Sequence, residues 1–231
     1  GSKTLLDELS KSIITLGGEI HLQSPVSKIV IQNNRISGIE INSNFEPFDY
    51  VVSTVPVPFI SKLIPNLSQN YANNFASINN IGVVCVIVKL KKSITKNFWL
   101  NINDPEMDIP GLVEYSNLMP MKETIVYVPF YLPGEHPKFA DSDDAFISKV
   151  KKYIIKINPS ISESDFIDVR ASRYRFAQPI CEPNFLSKIP KLDLGIKGLL
   201  VADTCYYYPE DRGISESLNF GKNLASIVKD D

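Results

Sequence analysis

Apolar positions repeat with two different periods along this chain, and the switches between them mark its elements. Leu5, Leu6, Leu9, Ile13 and Leu16 recur three or four residues apart, which is one face of a helix. Gly17-Gly18 ends that run, because a glycine just past a helix takes the left-handed conformation without steric cost. From there the period falls to two. Residues 19–22 predict a short strand and 26–31 a longer one. Asn33-Asn34 tolerates positive φ and predicts a tight turn into 36–41, so 26–41 reads as a β-hairpin. Residues 49–54 are a short apolar run, of the kind found in a sheet covered on both faces. Pro56 and Pro58 stop it, and Phe59, Ile60, Leu63 and Ile64 predict one or two helical turns before Pro65.

The middle is rich in predicted strands, at 83–90, 98–102, 111–115 and 124–131. The unbroken β-branched run 83–88 marks a central strand. Asp141-Ser142-Asp143-Asp144 precedes Phe146, Ile147, Val150, Ile154 and Ile155. A serine among acids in that place caps a helix N-terminus, so a helix is expected over 143–157 rather than a metal site. Residues 168–176 alternate as a strand and carry Arg170, Arg173 and Arg175. Residues 198–203 form an apolar strand ending in Asp203. A loop with Tyr206, Tyr207, Tyr208, Glu210, Asp211 and Arg212 follows. Gly213 then opens a helix striped by Leu218, Leu224, Ile227 and Val228, with Ser215 as the expected N-cap. Unpaired N–H groups at such a start attract negative charge. This order of elements predicts an α+β fold. A mixed, mainly antiparallel sheet is backed by the 143–157 helix, and the terminal strands and helices pack together as a separate part.

Composition narrows the function. The 231 residues carry 24 basic and 26 acidic side chains, a net charge of −2, which argues against coating nucleic acid or anionic lipid. A 44% hydrophobic fraction excludes disorder. Cys85, Cys181 and Cys205 are odd in number and far apart, so no disulfide framework is implied. No apolar run approaches the roughly 20 residues of a membrane span, and no secretory leader is visible, so a cytoplasmic setting is expected. His21 and His136 have no cysteine or carboxylate at ligand spacing, and no metal site is expected. Neither G-x-S-x-G nor a Cys/His pair argues for acyl transfer, and no side chain is assigned a catalytic role. Gly1-Ser2 has the form of a cloning scar, and a chain beginning on a helix is expected to extend upstream.

Three stretches carry a resemblance. Residues 5–56 run from a helix through Gly-Gly, a strand with Val26 and the hairpin to Asp49-Tyr50-Val51-Val52-Ser53-Thr54-Val55-Pro56. Residues 174–180 read Tyr-Arg-Phe-Ala-Gln-Pro-Ile, and 198–227 pass through Ala202-Asp203, Tyr208-Pro209 and Gly213-Ile214-Ser215. Together they resemble the later portion of FAD-dependent oxidoreductases of the flavin-containing amine oxidase superfamily. That superfamily includes protoporphyrinogen oxidase, phytoene desaturase-like enzymes and UDP-galactopyranose mutase. The resemblance implies later pieces of an FAD-binding domain at 3–56 and 194–231 around a substrate-binding domain at 57–193. The G-x-G-x-x-G of the first piece, which holds the pyrophosphate on a helix N-terminus, is absent from these 231 residues. A fragment is therefore expected, inactive alone and holding FAD only with the upstream piece.

Carried over by position, the resemblance places Val26 at the adenine end of FAD and Thr54 and Pro56 close to the adenosine. It places Asp203 by the diphosphate and ribitol, and Gly213, Ile214 and Ser215 at a helix start facing the flavin's pyrimidine edge. Ala202 departs from the family's usual glycine. Arg173, Arg175, Tyr207 and Arg212 are the residues expected toward a small organic substrate. Each has a bland alternative: surface pairing for Arg173 and Arg175, packing for Tyr207 and its neighbours, and a bridge to Glu210 and Asp211 for Arg212. The implied activity is hydride transfer from a substrate C–H to flavin. The alternatives are a redox-neutral mutase or isomerase, which would want a basic sugar-diphosphate site built on Arg170, Arg173 and Arg175, and a non-catalytic binding module. Exposed sheet edges in the incomplete cofactor domain predict dimerisation.

Overall fold

Two asparagines set the first turn. Asn33 and Asn34 both take positive φ, +49° and +59°, the mirror-image turn whose twist matches that of the strands it joins. The computed structural model describes residues 2–230. Helix α1 (Ser2–Thr15) is followed by strands β1 (Val26–Gln32), β2 (Arg35–Ile41) and β3 (Asn44–Pro47), paired antiparallel in that order. Strand β4 (Val51–Ser53) and helices α2 (Ile60–Leu63) and α3 (Gln69–Ala76) come next. The middle contains β5 (Asn80–Leu90), β6 (Trp99–Asn101), β7 (Gly111–Glu114) and β8 (Thr124–Pro133). Helix α4 (Asp143–Ile157), strand β9 (Phe166–Pro179) and helix α5 (Phe185–Lys188) complete it. Strand β10 (Leu199–Val201) and helix α6 (Ile214–Asp230) close the chain. The class is α+β with mainly antiparallel sheet, as the sequence predicts.

The chain divides into two compact units. One takes the residues through Ala76, then Pro190–Asp203 and the residues from Leu218 onward; the other takes Ser77–Ile189 and Thr204–Ser217. In the first, β1, β2 and β3 form an antiparallel sheet, and β4 pairs in parallel with β10. Gly198 makes that parallel pair possible. Its φ is +80°, and a Cβ there would collide with the Asp49 carbonyl. In this conformation its own carbonyl accepts the Val51 N–H at 2.8 Å.

The second unit is built on a five-stranded sheet in the order β6-β7-β8-β5-β9. Its centre follows from the β-branched run, for β5 lies between β8 and β9 and is hydrogen-bonded to both. Strand alternation sends Val84, Val86 and Val88 to one face, where they are fully buried with Val126, Val128 and Phe130. Helix α4 covers that face with Phe146, Val150 and Ile154. Ser142 caps it, its hydroxyl accepting the Ala145 N–H at 3.2 Å, with Asp143 and Asp144 in the first turn. The expected cap is thus present, and among the described residues no group of acids, histidines and cysteines could hold a metal.

Four local readings change. Residues 19–22 make no strand; they lie exposed, with no neighbouring strand to supply ladder bonds. Strand β3 was not expected, and it arises because Asn42 and Ser43 repeat the positive-φ turn. Strand β4 is not covered on both faces, since Val52 is 39% exposed. Ser215 does not cap α6. The helix starts at Ile214, and the Gly213 carbonyl receives both the backbone N–H and the hydroxyl of Ser217, at 3.1 and 2.8 Å.

Candidate functional site

The parallel pair β4–β10 positions the first group of residues. Leu199, Leu200 and Val201 stand opposite Val51, Val52 and Ser53, and the Ala202 N–H continues the ladder to the Ser53 carbonyl at 2.8 Å. Both strands run out on the same side, so Thr54, Pro56 and Asp203 share the carboxyl end of the pair. Ligands of parallel sheets gather beyond such ends. The Asp203 carboxylate accepts the Val57 N–H at 2.7 Å, tying the end of β10 to the segment that follows Pro56. Val26 and Thr54 line one cavity of about 350 Å³ with Ile29, Ile39, Phe48 and Tyr50, a mainly apolar wall. Ala202 is buried with Leu200 and Leu224 in a small core, so its methyl group is packing where a glycine would leave a gap.

In the second unit the start of α6 already has a negative partner. The Glu216 carboxylate folds back over Gly213, occupying the place a Cβ would take. Ile214 is half exposed and Ser215 exposed. Tyr207 donates its hydroxyl to Ser217 at 3.1 Å, and Tyr208 stands edge-on to Phe185 with ring centroids 5.4 Å apart. A cavity of about 190 Å³ opens beside them, lined among others by Gln178, Cys181, Cys205, Tyr208 and Arg212.

The three arginines have different surroundings. Arg173 hydrogen-bonds the Phe139 carbonyl at 2.7 Å and the Asp141 carbonyl at 3.0 Å, and pairs with the Asp143 carboxylate. It therefore fastens β9 to the N-terminus of α4. Arg175 bonds the Gly134 carbonyl at 3.1 Å and lies over the Phe139 ring. Arg212 does not bridge Glu210 and Asp211, a correction to the bridge considered from sequence. Among the described residues its guanidinium makes no ion pair; it donates instead to the Gln178 side chain. The physical reason is local: Asp211 Oδ1 accepts the backbone N–H of Arg212 at 2.8 Å, which turns that carboxylate toward the main chain. Arg170 pairs with Asp168 at 2.8 Å, so the basic cluster that a sugar diphosphate would require is dispersed into separate bonds.

The sheet's second face was not legible as a unit. Register places Tyr131 and Tyr174 on either side of Val83, and Pro129 and Ser172 on either side of Cys85. One row further, Trp99, Val113, Tyr127 and Ile87 follow across four strands. Among the described residues no helix of this unit lies along this face as α4 lies on the other, and Trp99, Ile87, Tyr131 and Tyr174 are exposed. Burial pushes the Cys85 thiol up, only partly offset by a hydrogen bond from the Val128 backbone, so it stays protonated at neutral pH. Sequence alternation flags which side chains of β5 share a face. Which strands flank it is settled only by pairings between residues about 34 to 99 positions apart.

Two buried or clustered acids hold the second unit together. Glu114 is completely buried and its carboxylate accepts the N–H groups of Ile94 and Thr95, at 3.1 and 2.8 Å, and the hydroxyls of Ser93 and Thr95. Burial pushes the Asp108 carboxyl up, but hydrogen bonds from Lys138, Lys149 and Tyr153 outweigh it and hold its pKa well below the usual carboxylate range.

The model of the family described as flavin containing amine oxidoreductase matches residues 1–180. No curated protein matches the chain. A protoporphyrinogen oxidase-like protein from Exiguobacterium sp. 255-15 superposes with a TM-score of 0.78 at 17% identity, covering 100% of this chain and 51% of its own. An oxidoreductase from Methanosarcina mazei gives 0.67 at 19% identity, covering 87% and 48%. A reduced UDP-galactopyranose mutase gives 0.57 at 14% identity, covering 76% and 39%. The chain thus spans about half the length of the first two structures and less of the third. Among the described residues no helix is long and apolar enough to cross a membrane.

Proposed function

The chain belongs to the flavin containing amine oxidoreductase family, and from that premise we propose that it is the substrate-binding and C-terminal cofactor-contacting part of an FAD-dependent oxidoreductase. The observation that carries this reading is the carboxyl end of β4–β10, where Thr54, Pro56 and Asp203 stand together and Val26 and Thr54 wall one apolar cavity. An apolar wall suits one end of a flat heteroaromatic cofactor, and a carboxylate at a strand end suits hydroxyl donors of a ribose or ribitol. Val26, Thr54 and Pro56 would hold the adenosine side and Asp203 the ribitol side. When bound, FAD supplies a hydride acceptor for a substrate C–H. The protein's share is to orient the substrate and exclude water. The three pieces of the first unit, with the G-x-G-x-x-G pattern absent from the chain, fit the later pieces of such a cofactor domain. The isolated chain is then inactive.

The test is retention of flavin bands after removal of free FAD, by the chain alone and by the chain joined to the reading frame that precedes it. Retention only in the joined form is expected, and Asp203→Ala in that form weakens FAD binding about tenfold or more, the loss of one hydrogen bond to a charged group. Retention by the chain alone overturns the partial-domain reading. Retention by neither overturns the flavin reading.

A further inference from the structure

We propose that Cys181 and Cys205 are a peroxide-responsive thiol pair, which closes into a disulfide across the cavity that both of them line. No disulfide joins any of the three cysteines among the described residues. Composition gives no hint of the pair, because its members are 24 positions apart with β10 between them. The proposal stands independently of the function proposed above.

The fold brings the two segments together. Cys181 follows β9 in the loop that leads to α5, and Cys205 lies in the short helical turn Thr204–Tyr207 after β10. Both belong to the second unit. Two contacts hold these segments against each other. The Arg212 side chain donates to Gln178, three residues before Cys181. The Tyr208 ring stands edge-on to Phe185, four residues after Cys181, with centroids 5.4 Å apart. All four of those residues line the cavity of about 190 Å³, and so do both cysteines. A space of that volume is roughly 7 Å across. A disulfide needs its Cα atoms about 4–7 Å apart. Closure therefore asks for side-chain rotation and a small approach of a loop whose Cys181, Pro183 and Asn184 are exposed.

Exposure divides the chemistry between the two sulfurs. Cys181 is exposed, whereas Cys205 is 1% exposed, so peroxide meets Cys181 first. The Cys181 sulfur attacks one oxygen of hydrogen peroxide. An S–O bond forms, the O–O bond breaks, and the departing oxygen leaves as water with the thiol's proton. The Cys205 sulfur then attacks the Cys181 sulfur, forming the S–S bond. The S–O bond breaks, and its oxygen leaves as a second water with the Cys205 proton. Two thiols and one peroxide become one disulfide and two waters; the sulfurs are oxidised by two electrons and the peroxide is reduced by two. A small thiol reverses the step by exchange. A bond that forms and reopens in this way is a sensor rather than a staple. Cys85 takes no part: it is not in the lining of this cavity, and burial keeps its thiol protonated. The disulfide ties the loop after β9 to the segment that leads into α6 and narrows the cavity between them.

Treatment of the reduced full chain with hydrogen peroxide, followed by intact mass and a non-reducing peptide map, tests this. The expected result is the loss of two hydrogens and a linked Cys181–Cys205 peptide in a monomeric chain, with the original mass restored by dithiothreitol. Cys181→Ser abolishes the loss. Cys205→Ala abolishes it as well and leaves Cys181 as a sulfenic acid, which dimedone traps. Dimedone on Cys181 and not on Cys85 shows that this variant is folded, since an unfolded chain exposes both. Cys85→Ser leaves the linked peptide unchanged. Oxidation of Cys181 to sulfinic acid in the unaltered chain, with Cys205 still a thiol, overturns the pairing. A link to Cys85, or one found only between two chains, overturns it equally. Survival of both thiols overturns Cys181 as the peroxide target. None of these readouts uses flavin, so failure of the flavin-retention test removes the proposed function and leaves this pair standing.

Discussion

Replacing Glu114 by alanine should unfold the second unit more readily than any other single change to a polar residue. The carboxylate is fully buried and is the acceptor for four donors, two of them the main-chain N–H groups of Ile94 and Thr95. Truncation leaves those two amides without partners, the Ile94 amide in a buried place and the Thr95 amide in a part-buried one. At roughly 1–3 kcal/mol for each orphaned donor the cost is about 4 kcal/mol. The two hydroxyls can turn toward other acceptors, and Ser93 already reaches the Thr95 carbonyl, so they add little. The only tryptophan of the chain, Trp99, adjoins the site, since the Phe98 carbonyl accepts the Glu114 N–H at 2.8 Å. Urea unfolding followed by tryptophan emission therefore reads this unit directly. The midpoint of Glu114→Ala should fall by more than about 1 M at ordinary slopes, and hydrogen exchange at Ile94 and Thr95 should accelerate more than at Val128. A loss under about 1 kcal/mol, or unchanged protection at both amides, would refute the claim that the carboxylate organises this loop. Glu123→Ala, at a half-exposed pair with Lys89, serves as the control and should cost less than about 1 kcal/mol.

Other expectations concern both units. Because the Asp108 pKa is depressed in the folded chain, its contribution is fully present above the unfolded value, near pH 4. It is lost as pH falls from there toward the folded value, so Asp108→Asn should flatten the acid side of the stability curve below about pH 5. Phe146→Ala removes a fully buried ring in edge contact with Phe130, centroids 4.9 Å apart, and should cost about 3–5 kcal/mol by calorimetry or urea titration. Gly198→Ala forces a side chain into positive φ and against the Asp49 carbonyl, so exchange at the Val51 amide should rise at least tenfold. The outer side of β4 has no strand partner among the described residues, whereas β10 is partly covered by the Leu192 carbonyl. Self-association through β4 is the expected result in light scattering, and a monomer at all concentrations would refute it.

Local chemistry was the legible part of this fold. The hairpin of β1 and β2 follows from Asn33-Asn34, α4 from Ser142 and its acids, and the central place of β5 from its β-branched run. The misreadings share one cause. Residues 19–22 have strand composition and no neighbour, while β3 has poor strand composition and a neighbour in β2. Pairing, which composition does not encode, decides both. The site divides the same way. Asp203 and Thr54 were readable as strand ends, and their shared edge required only the parallel pair. Ser215 lies two residues past the true start because Gly213 takes the capping role through its carbonyl, leaving no signature in side-chain type. The tyrosine pair had no local signal, because its members lie 43 positions apart and meet only across Val83.

The longer piece of the second unit, Ser77–Ile189, begins and ends on neighbouring strands. Asn80 pairs with Pro179, and the Ile180 N–H is bound to the Asn79 carbonyl at 2.8 Å. The strands it separates, β4 and β10, are about 150 residues apart in sequence, a long loop to close for three-residue strands. Once β5 and β9 have zipped, the loop left to close is only about 50 residues. With loop entropy growing as the logarithm of length, that shortening lowers the cost of joining β4 to β10 by about 1 kcal/mol. The connectivity therefore makes the pairing of β4 with β10 less costly once the five-stranded sheet has formed than before it.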